Sequence, residues 1–136
     1  MTLNELAAAA LDVTTRKGFH ETEEELNKAL KNDAGLLAEL HHLQTARRLA
    51  LIQSEVSEAL EACRKGRFAD LSAFRREGAT KEAFEKHIKD SFEDELADAL
   101  IRILELAATE GVDMDAHVSE KMKYNAGRPY KFGKAY

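Results

Sequence analysis

Residues 91–110 read SFEDELADALIRILELAATE, and this stretch decides the fold. Leucine, isoleucine and alanine recur throughout it, and neither proline nor glycine interrupts it. Such a segment predicts a helix that is apolar around most of its circumference, which is typical of a central, buried helix. Gly111 follows directly and is suited to ending the helix. The one polar stripe of this helix contains Glu95, Asp98, Arg102 and Glu105.

The rest of the chain is also patterned for helices. A capping box at 2–5 predicts the start of a first helix, which ends near Gly18. A second capping box at 22–25 predicts the start of a short second helix. Residues 66–90 form a polar connector in which a short helix from about Thr80 is expected. A long helix and a last helix are predicted at about 36–65 and 113–125.

The composition favours an all-α fold in one domain. The chain has 136 residues, of which 44% are hydrophobic and 33% charged, with a single proline. No run alternates β-branched or aromatic residues with polar ones, as strands would require. We therefore predict a single domain over 1–136 with a four-helix-bundle core and additional short helices. Residues 67–90 would be an insert or connector, and 121–136 a basic C-terminal arm.

Charge and cysteine content exclude several functional classes. The net charge is −5 at pH 7, which opposes nucleic-acid binding through bulk charge. Cys63 is the only cysteine, so the chain forms no intramolecular disulfide and no thiolate zinc site. No apolar run approaches the roughly 20 residues that span a bilayer, and no signal peptide is visible. We expect a cytoplasmic protein without a membrane partner.

Two acidic pairs, EVSE at 55–58 and ELAD at 95–98, lie inside apolar helical stretches. Residues three apart share one helix face, so two packed helices can aim four carboxylates at one point. Clustered carboxylates repel one another unless a cation sits among them, and oxygen ligands suit Mg²⁺ or Mn²⁺. Solvent or an ion-pair partner would also satisfy the stripe at 95–105. A di-iron site is disfavoured, because Glu39–His42 is the only Glu-x-x-His spacing.

The C-terminal arm has the opposite charge to the body of the chain. No acidic residue follows Glu120, whereas basic residues and all three tyrosines lie beyond it. Basic side chains interleaved with aromatic rings suit phosphate contacts and stacking. The alternative is an arm that packs its aromatic rings against the bundle. Nucleic-acid binding through the arm is a third possibility, which the charge of the body opposes.

Taken together, these motifs resemble those of a known enzyme family. The matching segments are RKGFHE at 16–21, LIQSEVSEALEACRKG at 51–66, EDELADALIRILELAATEGVD at 93–113 and EKMKYNAGRPYKFGK at 120–134. The chain resembles the MazG-like branch of the all-α nucleoside triphosphate pyrophosphohydrolases. The resemblance implies Mg²⁺-dependent hydrolysis of a (deoxy)nucleoside triphosphate to the monophosphate and pyrophosphate, in nucleotide-pool house-cleaning.

The resemblance also implies roles for individual residues. It implies that the catalytic metal ligands are Glu55, Glu58, Glu95 and Asp98. It places phosphate contacts in the arm at Lys121, Arg128, Tyr130 and Lys131. Asn125 is expected to contact the nucleotide, and Phe19 and His20 the base or sugar. A homodimer or homotetramer is expected; the alternative function is a non-catalytic helical interaction module with an acidic binding face.

Overall fold

The computed structural model describes residues 1–133, and within them every regular element is helical, which confirms the all-α prediction. The helices are α1 (Leu3–Arg16), α2 (Glu21–Ala29), α3 (Ala34–Arg64), α4 (Leu71–Arg76), α5 (Lys81–His87), α6 (Phe92–Thr109) and α7 (Met114–Ala126). A 3₁₀ turn, Tyr130–Gly133, follows α7. Over the described part of the chain, no helix combines the length and apolar character needed to cross a membrane.

Side-chain caps begin most of these helices. A side-chain oxygen accepts a hydrogen bond from a backbone N–H of the first helical turn and so satisfies one of its unpaired donors. The residues that cap in this way are Thr2, Asp33, Asp70, Thr80, Ser91 and Asp113. The predicted capping box at Thr2–Glu5 is confirmed, as is the start of α5 after Thr80. Gly111, at φ 65°, adopts the left-handed conformation that ends α6.

The second predicted capping box is wrong. Helix α2 starts at Glu21, so Thr22 lies inside the helix, and the capping position is taken by His20, which makes no side-chain capping bond. The cause is the tight turn before it, where Gly18 has φ 79° and Phe19 N–H donates to the carbonyl of Thr14. This turn frees the imidazole of His20 for contacts with other helices.

The connector at 67–90 contains two short helices, of which α4 was not predicted. Its signal is weak because α4 has six residues and depends on Asp70, whose carboxylate accepts from Ala73 N–H at 2.8 Å. The rings of Phe74 and Phe84 meet edge to face, with centroids 6.1 Å apart, and hold α4 against α5. The connector is therefore a compact helical hairpin.

Helix α6 is the centre of the packing, because it contacts both α1 and α3 along its length. Small side chains fill the contact with α3, where Ala59 and Ala62 of α3 and Ala99 of α6 are all buried. Small residues let two helix axes approach closely, since no long side chain separates them. This close approach brings residues 55–58 next to residues 95–98.

The prediction that α6 is a buried helix is wrong for the single chain. Leu96, Leu100 and Ile103 of α6 are exposed, and so are Val56 and Leu60 of α3. The physical reason is that α1 and α3 cover only two sides of α6, and no other helix between residues 1 and 133 covers the third. These five residues, spaced as one stripe on each helix, form what we call the apolar face.

Polar contacts join the start of α7 to the start of α1. The Asn4 side chain donates to Asp113 Oδ1 at 2.8 Å, and Asn4 Oδ1 accepts from Met114 N–H at 2.9 Å. Asp115 Oδ1 in turn accepts from Leu3 N–H at 2.9 Å. The hydrogen bond from Asn4 is the main reason why the pKa of Asp113 lies below its ordinary value. These contacts fix where the C-terminal arm leaves the bundle.

Candidate metal centre and adjoining cavity

Three of the four predicted carboxylates meet where α3 crosses α6. One carboxylate oxygen from each of Glu55, Glu58 and Glu95 lies within 4.8 Å of the others. Glu55 and Glu95 are only 8% and 7% exposed, whereas Glu58 is open to solvent. We call these three residues the acidic triad. Within residues 1–133, it is the single group of His, Cys, Asp or Glu side chains arranged in this way.

The fourth predicted carboxylate, Asp98, lies beside the triad and not in it. It is one helical turn after Glu95 on α6, is exposed, and lines a neighbouring cavity. Its negative charge still contributes to the high pKa of Glu95. Asp98 is therefore an electrostatic neighbour of the triad at the boundary with the cavity.

The electrostatics of the site disfavour the ionisation of Glu95 and of its neighbour Asp98. Burial raises the pKa of Glu95, and the charges of Glu58 and Glu55 raise it further. Desolvation also raises the pKa of Asp98, and Asp94 and Glu55 add to this effect, which Arg102 opposes. The repulsion that disfavours ionisation of these carboxyls is relieved by any cation placed between them.

One cation of the protein already contacts the triad. Arg102, two turns after Glu95 on α6, donates from Nε to Glu55 Oε1 at 2.5 Å, and its side chain is 40% exposed. Arg102 of the polar stripe on α6 thus has an ion-pair partner, Glu55 of α3, which was one of the alternatives to a metal ion. Over the described chain, no ion pair reaches Glu58 or Glu95, so two of the three carboxylates lack a counter-charge.

The chemistry of the triad fits a hard divalent cation. All three donors are carboxylate oxygens, which Mg²⁺ and Mn²⁺ prefer, and neither sulfur nor imidazole is among them. Two oxygens on opposite sides of one Mg²⁺ are about 4.2 Å apart, because each bond is about 2.1 Å. This is the largest spacing between two ligands of one ion, and the present spacing of the three oxygens, within 4.8 Å, is only slightly wider.

A cavity of about 280 Å³ lies next to the triad, between the α1–α2 turn, α3 and α6. Asp98 and Arg102 form its boundary with the triad, and Phe19 and His20 line its other side. The structure thus brings these two predicted base or sugar contacts to the same cavity as Asp98. Its other lining residues are Thr14, Glu23, Arg47, Arg48, Leu51, Ile101, Glu105 and Leu106.

A polar network stiffens one wall of this cavity. Glu105 Oε1 accepts from Thr14 Oγ1 at 2.7 Å and lies 2.9 Å from His20 Nε2. Glu23 pairs with Arg48 and lies 3.7 Å from the other ring nitrogen of His20. The polar stripe on α6 pointed to Glu105. The sequence holds no signal for Thr14, Glu23 or Arg48, because they come from three separate helices.

The predicted residues of the arm do not reach this site in the single chain. Lys121 and Arg128 instead lie over the ring of Tyr124, at 4.9 Å and 5.8 Å from its centroid. Lys131 lies over Tyr130, and the buried Oδ1 of Asn125 accepts no hydrogen bond from residues 1–133. Residues 134–136, which complete the predicted arm, lie outside the described residues.

The chain was also compared with known proteins. No protein family, curated protein or solved structure matches it. The function is therefore argued from the acidic triad, the cavity and the motifs of the sequence.

Proposed function

We propose that this protein is a Mg²⁺-dependent nucleotide pyrophosphohydrolase of the MazG-like type, with Mn²⁺ as a substitute metal. It would convert (deoxy)nucleoside triphosphates to the monophosphate and pyrophosphate. The observation that carries the proposal is the acidic triad, in which two buried carboxylates and an exposed one meet beside a ligand-sized cavity. A buried carboxylate without a counter-charge is costly, and Glu95 is one, with Glu58 and the paired Glu55 beside it, so a bound cation supplies a reason for this arrangement.

In this proposal, some residues of the site bind the metal ion and others bind the substrate. Glu55, Glu58 and Glu95 would hold the cation, and Asp98, beside the triad, would help to hold a second one with substrate bound. When bound, Mg²⁺ neutralises charge on the phosphate oxygens and lowers the pKa of water. Because Glu58 is the solvent-exposed member of the triad, it is the carboxylate that an attacking water meets first. Arg102, between triad and cavity, is placed to pair with a phosphate oxygen.

The proposal includes a homodimer or homotetramer. The apolar face on α3 and α6 is uncovered in one chain, and contiguous apolar surface of this kind is typical of protein interfaces. The basic arm lies apart from the triad of its own chain. Lys121, Arg128, Tyr130 and Lys131 would therefore contact phosphates after the arm moves, or from a second copy of the chain.

The test is turnover of a panel of triphosphates with and without Mg²⁺, with both products identified. We expect the monophosphate and pyrophosphate, only when metal is present. Glu58→Gln and Glu95→Gln should lower kcat at least about 100-fold, because each removes a metal ligand without changing its size. Glu39→Gln, an exposed position near the start of α3, is the matched control and should keep full activity.

A non-catalytic helical interaction module is the second candidate, and one observation favours it. The apolar face adjoins the acidic triad, so a basic amphipathic partner would find both apolar and charged contacts there. In that case the folded protein would show neither turnover nor a thermal shift with Mg²⁺. Both results together would replace the enzymatic proposal with this one.

A further inference from the structure

We infer that the cavity beside the acidic triad binds the base of the nucleotide, and that Glu105 selects bases carrying an exocyclic amino group. The inference rests on the proposed function for the position of the triphosphate. Asp98 and Arg102 belong to the cavity wall and also adjoin the triad, so a triphosphate held at the triad extends its nucleoside into this cavity.

The cavity has the size and lining of a site for a planar ring. Its volume of about 280 Å³ is close to the lower end, roughly 300 Å³, of small-molecule pockets. Leu51, Ile101 and Leu106 give it apolar surface, and Phe19 adds an aromatic ring at its edge. Apolar walls of this kind cover the faces of a heterocycle, which leaves the polar edge of the base to be recognised by hydrogen bonds.

Glu105 presents a fixed hydrogen-bond acceptor to that edge. Its side chain is only 15% exposed, and its Oε1 is held by Thr14 Oγ1 and His20 Nε2. Among residues 1–133, Oε2 has no hydrogen-bond partner. Glu105 lines the cavity, one of its oxygens is anchored and the other makes no hydrogen bond within these residues, so the carboxylate is available to a ligand as an acceptor and not as a donor.

The five common bases differ in whether they carry a hydrogen-bond donor that can pair with such an acceptor. Adenine, cytosine and guanine each carry an amino group, and an N–H of that group pairs with a carboxylate oxygen. Thymine and uracil carry carbonyl oxygens where adenine and cytosine carry the amino group. Their one ring N–H lies between two carbonyl oxygens, which repel a carboxylate. An unmatched buried acceptor is costly, so the site should discriminate between these two groups of bases.

The experiment compares kcat/KM for dATP, dCTP and dGTP with that for dTTP and dUTP. We expect the wild type to favour the amino-bearing group about fivefold or more, since one good base contact discriminates to about this degree. Glu105→Gln should reduce the ratio to within about twofold, because an amide offers either an acceptor or a donor by rotating. Glu110→Gln is the control, at the residue that directly follows α6. Glu110 contacts His41 and Thr45 outside the cavity, so this variant should keep the ratio.

A binding measurement separates this inference from the proposed function. Without metal, dCMP should bind the wild type more tightly than dTMP, and Glu105→Gln should abolish the difference. Turnover of all five triphosphates at similar rates would overturn the inference and leave the proposed function intact. No turnover by a protein that still prefers dCMP would overturn the function alone. If Glu105→Gln fails to fold, Glu105→Asp tests the same point, because it keeps the charge and shortens the side chain by one methylene, which moves the acceptor away from the base. An unchanged ratio in that variant would overturn the inference.

Discussion

Replacing Arg102 by methionine tests whether its guanidinium stands in for a metal at the acidic triad. Methionine keeps much of the aliphatic length and removes the charge that contacts Glu55 at 2.5 Å. Glu55 is then left buried beside Glu58 and Glu95 with no counter-charge. The metal-free variant should be less stable than the wild type, and added Mg²⁺ should stabilise it more than it stabilises the wild type.

The magnitude follows from burial. Removing one partner of a fully buried ion pair costs about 3–5 kcal/mol. The Arg102 side chain is 40% exposed, so solvent screens part of the interaction and we expect a loss of about 1–3 kcal/mol. At about 4 °C per kcal/mol for a domain of this size, Tm should fall by roughly 4–12 °C. The deficit should shrink in saturating Mg²⁺, because the ion then supplies the missing positive charge.

The assay is thermal unfolding of both proteins in EDTA and in a Mg²⁺ titration, followed by circular dichroism. Arg16→Met is the matched control, because Arg16 forms an exposed ion pair with Asp12 on α1. Loss of this ion pair should change the free energy of unfolding by no more than about 0.5 kcal/mol. An equal Tm for Arg102→Met and wild type in EDTA would refute the electrostatic argument. A smaller Mg²⁺-induced shift in the variant would show that Arg102 helps to bind the ion instead of competing with it.

Three further predictions concern stability and assembly. Without metal, the free energy of unfolding should fall as pH rises from the ordinary carboxyl pKa values, 3.8 for Asp98 and 4.5 for Glu95, through their raised values, because the folded state holds more protons than the unfolded state in that window. Glu95→Gln should flatten this slope in urea titrations in EDTA. Ser91→Ala should cost about 1 kcal/mol in thermal unfolding, since it removes the side-chain cap of α6. Leu100→Glu places a charge on the apolar face, so it should reduce the molar mass of the oligomer measured by light scattering. Leu36→Glu, at the start of α3, should leave the mass unchanged. An unchanged mass for Leu100→Glu would argue against that face as an interface.

The sequence predicts the helices well because their signals are local. Ser91 and Thr80 cap the helices that follow them, and the left-handed glycine at 111 ends α6 where expected. The acidic pairs were also predicted to converge, and Glu55 and Glu95 do meet. The prediction was of four carboxylates, and it holds for Glu55, Glu58 and Glu95. It holds for these three because three-residue spacing fixes a common helix face, and few arrangements of two apolar helices keep both faces together.

Other features depend on contacts between distant segments, which a local pattern does not encode. Asp98 shares a helix face with Glu95, but it lies one turn further along α6, beside the cavity and outside the triad. The anchoring of Glu105 by Thr14 joins residues 91 positions apart. The exposure of Leu100 depends on how many helices surround α6, and periodicity reports only that the helix is apolar.

The hairpin formed by α4 and α5 begins and ends at nearly the same place. Phe92 N–H donates to the carbonyl of Arg67 at 2.9 Å, and the rings of Phe68 and Phe92 meet edge to face. These contacts between residues 67–68 and Phe92, which we call the neck, join the end of α3 directly to the start of α6. The distance between the two acidic motifs therefore does not depend on the length of the α4–α5 hairpin. Residues can be added to or removed from the hairpin at a cost that grows only slowly with loop length. The neck makes this segment a natural site for grafting a tag, a reporter or a second domain without disturbing the carboxylates.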